Sequence, residues 1–122
     1  MVRSKFQDVR SILVIKWSAI GDVVIATAIM DDIRRAFPGA EIDLNTLPAV
    51  AGLFAHDTRF REVIAIDVRR RGENLRRARE WLKRVRAGRY DMIIDLQRTD
   101  RTRLMLAALR LLGGGPRHLL GN

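Results

Sequence analysis

The sequence contains no cysteine, which excludes disulfides and thiolate metal sites and fits a reducing compartment. Histidine is scarce: His56 and His118 stand far apart, without metal-like spacing to any partner, and read as ordinary loop or surface residues. Aromatic residues make up 6% of the chain, too few for a base-stacking surface. Internal repeats and low-complexity tracts are also missing. The basic start "MVRSKFQDVR" followed by "SILVI" has the outline of a secretion signal, but Lys16 and then Asp22 break it. The apolar run that follows, Val23 to Met30, is far short of the ~20 residues that a spanning helix needs. The expectation is a cytoplasmic protein.

What is present is the composition of one globular domain: 122 residues, 48% hydrophobic and 30% charged. Lys and Arg number 23 against 14 acids, a net charge of +9. The stretch "RRRGENLRRAREWLKRVRAGR", residues 69–89, holds ten of the basic residues and two Glu, hence +8 of that total. Such a patch reads either as a binding surface for an anionic partner or as a solvated arginine-rich helix face.

Apolar periodicity divides the chain into alternating strands and helices. "SILVIK", 11–16, has the unbroken β-branched character of a strand buried on both faces. From Asp22 to Phe37, Val23, Ile25, Ala26, Ile29, Met30 and Ile33 favour one helical face, and "PGA" stops the helix. Strands follow at 41–47, 62–68 and 90–97, with a short helix or turn at 48–55. The helix predicted over 73–87 turns Leu75, Ala78, Leu82 and Val85 inward, beside a stripe of Arg76, Arg79, Lys83 and Arg86, with Trp81 as a packing residue. A last helix, 100–112, is closed by "GGGP", and "RHLLGN" begins a fifth strand. The pattern predicts an α/β fold: a Rossmann-like parallel sheet with helices on both faces.

Ligands of such sheets bind beyond the carboxyl ends of the strands. The residues placed there are Lys16, Trp17, Ser18, Gly21 and Asp22 after the first strand, Asn45 and Thr46 after the second, and Asp95, Gln97, Arg98 and Arg101 after the fourth. The loop "KWSAIGD" has one glycine where a dinucleotide fingerprint needs three, and the P-loop pattern is absent too. Asp22 has two readings from position alone. It is either a helix N-cap or a general base held ionised at the ligand edge. Trp17 either stacks on a sugar or base, or tucks beneath the first helix.

Taken together, "ILVIKWSAIGDVVIATAIMDDIRRAFPGAEID" and "YDMIIDLQRTDRT" resemble the N-terminal half of the bacterial heptosyltransferases, glycosyltransferase family 9. The family's opening strand ends in Lys or Arg followed by S-x-x-G-D, here Lys16, Ser18, Gly21 and Asp22. Its later D-x-Q-G-x-x-R-S corresponds to Asp95, Gln97, Arg101 and Thr102, with Arg98 in place of the glycine and Thr102 in place of the serine. The resemblance implies one half of a GT-B architecture: residues 1–122 as the acceptor-side domain, and the nucleotide-sugar on a C-terminal domain outside this chain. It implies inverting transfer of heptose from ADP-heptose to a lipopolysaccharide inner-core acceptor, with no metal or other cofactor. Asp22 becomes the general base. Lys16, Ser18, Gly21, Asp95, Gln97 and Arg101 become substrate-binding, with Lys16 and Arg101 facing the acceptor's anions and Arg69 to Arg71 as weaker candidates. The 69–89 patch would touch the inner face of the cytoplasmic membrane.

Two other readings stay open. A basic nucleic-acid-binding module is suggested by the charge, although no helix-turn-helix, RNP or zinc pattern supports it. A non-catalytic α/β domain that assembles with a partner chain is the second.

Overall fold

Four consecutive residues of the first strand, Ile12, Leu13, Val14 and Ile15, are wholly buried, and successive residues of a strand point to opposite faces, so both faces of the sheet are covered here. The computed structural model describes residues 8–17, 20–67 and 74–121, with backbone alone for 20–27 and 74. Strand β1, Ser11–Ile15, is the centre of a five-stranded sheet in which every pairing is parallel. Its neighbours are β2, Glu41–Thr46, on one side and β4, Met92–Asp95, on the other. Three-residue strands form the edges: β3, Val63–Ala65, beside β2 and β5, His118–Leu120, beside β4. Ile15 stands level with both Asn45 and Asp95, so three carboxyl ends reach the same height.

The chain runs outward from β1 through β2 to β3, then returns to build β4 and β5 on the opposite flank. The reversal makes the gap between β1 and β4 a topological switch point. Helix α1, Ile20–Ala36, joins β1 to β2, and the short α2, Pro48–Ala51, runs into a 3₁₀ turn, Gly52–Phe54, before β3. Helix α3, Asn74–Gly88, leads to β4, and α4, Asp100–Leu111, leads to β5. Right-handed crossovers put α1 and α2 on one face and α3 and α4 on the other, where α3 and α4 touch each other. The core is filled by Met30 and Ile33 from α1, Trp81 and Val85 from α3, and Met105, Leu106 and Leu109 from α4.

The alternation read from the sequence is borne out, with two local corrections. Helix α1 starts at Ile20, not at Asp22. In α3 the inward arc is centred on Trp81, with Ala78 and Val85 beside it, whereas Leu75 is 86% exposed. Six residues separate Leu75 from Trp81, which places it about 120° round the helix from the buried indole. The large side chain sets the rotation of the helix, and the leucine follows.

Helix α4 has both ends built from local sequence. Thr99 is its N-cap, accepting from the Thr102 N–H, while the Thr102 hydroxyl accepts from the Thr99 N–H at 2.9 Å. At the far end Gly113, at φ +77°, donates to Arg110 O and Gly114 donates to Leu109 O, a Schellman stop that the glycine run allows.

Candidate functional site

The carboxyl edge at the switch point is tied together across some eighty residues of sequence. Leu96 N–H donates to Ile15 O at 3.0 Å, and Trp17 N–H donates to the Gln97 side-chain Oε1 at 2.9 Å. The Lys16 ammonium reaches Leu96 O at 3.5 Å, and Lys16 N–H donates to Asn45 O at 2.9 Å. The loop after β1 and the loop after β4 therefore form one unit, with Gln97 as the clasp.

Asp95 shapes the second of those loops. Its Oδ1 accepts from Gln97 N–H at 3.0 Å and from Arg98 N–H at 2.9 Å, an Asx-type turn that bends the chain immediately after the strand. Its Oδ2 is buried with no hydrogen-bond partner among the described residues. The bend sends Arg98 into the left-handed region at φ +53°, with its side chain exposed. Thr99 then caps α4, and Arg101 lies half-buried in the first turn of that helix. Lys16, Asp95 and Gln97 thus lie at one edge, with Arg101 in the helical turn that follows.

Gly21 and Asp22 occupy the second and third positions of α1, which leaves that edge. Asp22 is accordingly not the N-cap residue. Its backbone lies in the first helical turn, where a negative side chain is favoured by the helix dipole. Ser18, the Asp22 side chain and Arg69 to Arg71 lie outside the described residues.

Trp17 belongs to the core. It is 2% exposed and donates its indole N–H to Asn45 Oδ1 at 2.7 Å; the same oxygen accepts from the Trp81 indole at 2.7 Å. The two rings meet edge to face with centroids 6.5 Å apart. Asn45 Nδ2 completes the arrangement by donating to Ile64 O at 2.9 Å. The indole therefore lies on the α3 side of the sheet, and neither of the roles weighed for it from sequence, stacking on a ligand or tucking beneath α1, applies. Asn45 is equally committed, and sequence reasoning missed it as the hub that supports the Lys16–Trp17 turn from below. Thr46 is buried, and its hydroxyl has no partner among the described residues.

A second polar cluster lies about 6–7 Å further down β2. Asp43, fully buried, accepts both arms of Arg61 at 3.1 and 2.8 Å, the Glu62 N–H at 3.1 Å and the Tyr90 hydroxyl at 2.5 Å. Burial, then donation to Asp43, pushes the Tyr90 hydroxyl well above its ordinary range, and the hydrogen bond to Asp43 does the same for the Arg61 guanidinium. With both carboxylate oxygens satisfied, this cluster ties β2 to the residues that lead into β3 and β4. Among the described residues no three His, Cys, Asp or Glu side chains are grouped to hold a metal ion. No described helix is long and apolar enough to cross a membrane.

No protein-family model matches the chain, and no curated protein matches it in sequence. Solved structures do. The glycosyltransferase family 9 protein of Veillonella parvula superposes with a TM-score of 0.70 at 23% identity, over 79% of this chain and 28% of that one. The chain shares its fold with heptosyltransferases. E. coli heptosyltransferase WaaC, solved with ADP-2-deoxy-2-fluoro heptose, gives 0.68 at 22% identity, over 81% of this chain and 33% of its own. E. coli ADP-heptose lipopolysaccharide heptosyltransferase II gives 0.67 at 22%, over 88% and 29%. The chain spans about a third of the length of these proteins. The resemblance read from two short motifs is thus matched by a likeness of the whole fold.

The two departures from the pattern that the sequence resembles each have a physical meaning in this chain's own geometry. The pattern's glycine falls on Arg98, the residue at φ +53°, where a glycine carries no steric cost. The pattern's serine falls on Thr102, whose hydroxyl completes the cap of α4. One departure is strained; the other is conservative.

Proposed function

We propose that this chain is the acceptor-side domain of a heptosyltransferase-like glycosyltransferase. The observation that carries the reading is that the fold match extends over some four-fifths of the chain, while both resembling motifs begin in the two loops that Gln97 clasps together and run into the first turns of the helices that follow. Two stretches eighty residues apart make one edge, as a shared substrate site requires.

In this reading Asp22 is the catalytic residue. Its carboxylate takes the proton from an acceptor hydroxyl as that oxygen attacks the anomeric carbon of ADP-heptose, and the ADP leaves in line, with inversion. One displacement needs no covalent nucleophile. Lys16 and Arg101 would meet the phosphates and carboxylates of a lipopolysaccharide inner core as charge-assisted contacts. Ser18 and Gly21 would shape the approach of the acceptor to Asp22. Asp95 and Gln97 act as positioning residues, setting the turn and the clasp rather than touching sugar. The donor would be held by a second domain of the GT-B arrangement, beyond the third of the fold described here. No cofactor is proposed, the nucleotide-sugar being a substrate. The place of work is the cytoplasmic side of the membrane that carries the acceptor.

The test is transfer from ADP-heptose to a Kdo-containing core acceptor, with the donor domain supplied. Asp22→Asn should lower kcat at least about a hundredfold with an unchanged circular dichroism spectrum and only the small fall in melting temperature that loss of a helix-dipole charge brings. Near-normal transfer by that variant would sink the assignment. Binding of a core fragment to the isolated chain, read by NMR shifts at Lys16 and Gln97 to Arg101, with little response to ADP-heptose, tests the acceptor side separately.

A further inference from the structure

Arg98 breaks two local rules at once. Its backbone stands at φ +53°, held there by the bond from its N–H to Asp95 Oδ1 at 2.9 Å, and a side chain in that region crowds the backbone. It also directly precedes Thr99, the cap of α4, and so adds positive charge beside the positive end of that helix. A glycine here would remove both costs. Residues that break local rules without a structural return collect where a protein builds a site.

Nothing in the described structure uses the Arg98 guanidinium. The side chain is exposed and makes no hydrogen bond or ion pair among the described residues. More positive charge lies close by. The Lys16 ammonium is 3.5 Å from Leu96 O, and Leu96 is two residues from Arg98, at most about 7 Å along the chain. Arg101 follows three residues on, in the first turn of α4. Neither makes an ion pair among the described residues. The acids that flank Arg98 are engaged elsewhere. Asp95 is wholly buried and accepts the two N–H groups of its turn, while Asp100 pairs with Arg103 at 3.5 Å. The loop thus carries cations that no described carboxylate balances, and an anion bound beside Arg98 would balance them.

We propose that Arg98 is a specificity-determining residue, which selects acceptors carrying an oxyanion, phosphate or carboxylate, next to the hydroxyl that receives the sugar. The inference rests on the acceptor-side reading above and goes beyond it. In the pattern that the sequence resembles this position is glycine, so the contact belongs to this chain and not to the pattern. A guanidinium offers two parallel N–H groups to two oxygens of such a group, which an ammonium cannot do. An acceptor without the oxyanion leaves the cations of the loop unbalanced, so the same residue acts against neutral sugars.

The experiment measures binding of a phosphorylated, Kdo-containing core fragment to the full chain by isothermal titration calorimetry. The fragment is used intact, after removal of its phosphates, and after esterification of its carboxylates. Arg98→Gln, which keeps a side chain at the strained position, should weaken binding of the intact fragment about tenfold. Arg98→Gly should weaken it equally while raising the urea midpoint, so that affinity and stability move in opposite directions. Arg35→Gln, which removes an exposed cation from the end of α1, should leave affinity within about twofold. On one of the two stripped fragments the unaltered chain and Arg98→Gln should bind alike, and that fragment identifies the oxyanion. Unchanged affinity in Arg98→Gln, an equal loss in Arg35→Gln, or a loss that persists on both stripped fragments would overturn the proposal and leave the acceptor-side reading standing. Failure of the unaltered chain to bind any of the fragments would overturn both.

Discussion

Arg98 and Asn45 show how single residues hold the edge of this sheet, and at what cost. Arg98 sits at φ +53° because Asp95 accepts both its N–H and that of Gln97. A side chain in that region costs about 1 kcal/mol or more, and glycine pays part of it back as unfolded-state entropy. Arg98→Gly should therefore raise stability by about 0.5–1 kcal/mol in urea denaturation. Asn45→Ala should do the reverse, since it strands two buried indole N–H groups and the Ile64 carbonyl. A loss of about 2–5 kcal/mol is expected, with the midpoint falling and a red shift of tryptophan emission as water reaches the pair. The sequence displays Arg98 as a departure from a pattern, so that strain was legible once the pattern was suspected. The role of Asn45 was not, because both its indole partners come from other elements, 28 and 36 residues away. Nor does the strand single it out, because β2 also carries Glu41, Asp43 and Thr46.

At the scale of elements, boundaries owe more to side chains than to apolar periodicity. The start of α4 is fixed by Thr99 and Thr102, each bonding the backbone of the other. Thr102→Ala should cost about 1–2 kcal/mol by thermal denaturation, while Thr102→Ser keeps the hydroxyl and should cost less than half of that. Near-equal losses from the two would show that the methyl, not the cap, matters. The periodicity of "IATAIMDDI" located α1 but not its first residue, which the structure places at Ile20, where Asp22 had appeared to be the natural beginning. For α3 the leucine at 75 was counted with the inward row, and the structure turned it out because Trp81 is larger and governs the packing. Periodicity reports that a face exists. It does not weigh the residues competing for it.

For the molecule as a whole, alternating strands and helices were enough to give the class of fold, because the central strand β1 and its neighbour β4 are nearly continuous in apolar residues and the segments between strands carry helical spacing. The edge chemistry was half legible: the stretches meeting at the switch point were chosen correctly, but the clasp by Gln97 depends on a tertiary contact. Acid sensitivity is also a property of the whole. The side-chain hydrogen bond from Arg59 holds the Asp57 carboxyl below its ordinary range against the opposing effect of burial. For Asp91, burial works upward, but the Arg10 N–H and the Arg117 guanidinium outweigh it and the carboxyl again lies low. Groups whose folded values are depressed stabilise the fold fully above the unfolded carboxylate value of about 4, and that stabilisation is lost as pH falls through their folded values. The melting temperature should hold steady from about pH 7 to 5 and fall below pH 4. Asp57→Asn should lower it at neutral pH and flatten the acid limb; an unaltered acid limb would remove Asp57 from the account.

The central strand has one more consequence, in the order of synthesis. β1 is made first, yet its second flank is covered only by β4, about eighty residues later. Between the completion of β2 and that of β4, a ribosome adding about 5–20 residues per second needs several seconds. Throughout that interval Ile12 to Ile15 present an open, wholly apolar edge. A nascent chain of this protein should therefore depend on shelter until residue 95 has emerged, and fragments ending before β4 should aggregate where the full sheet does not.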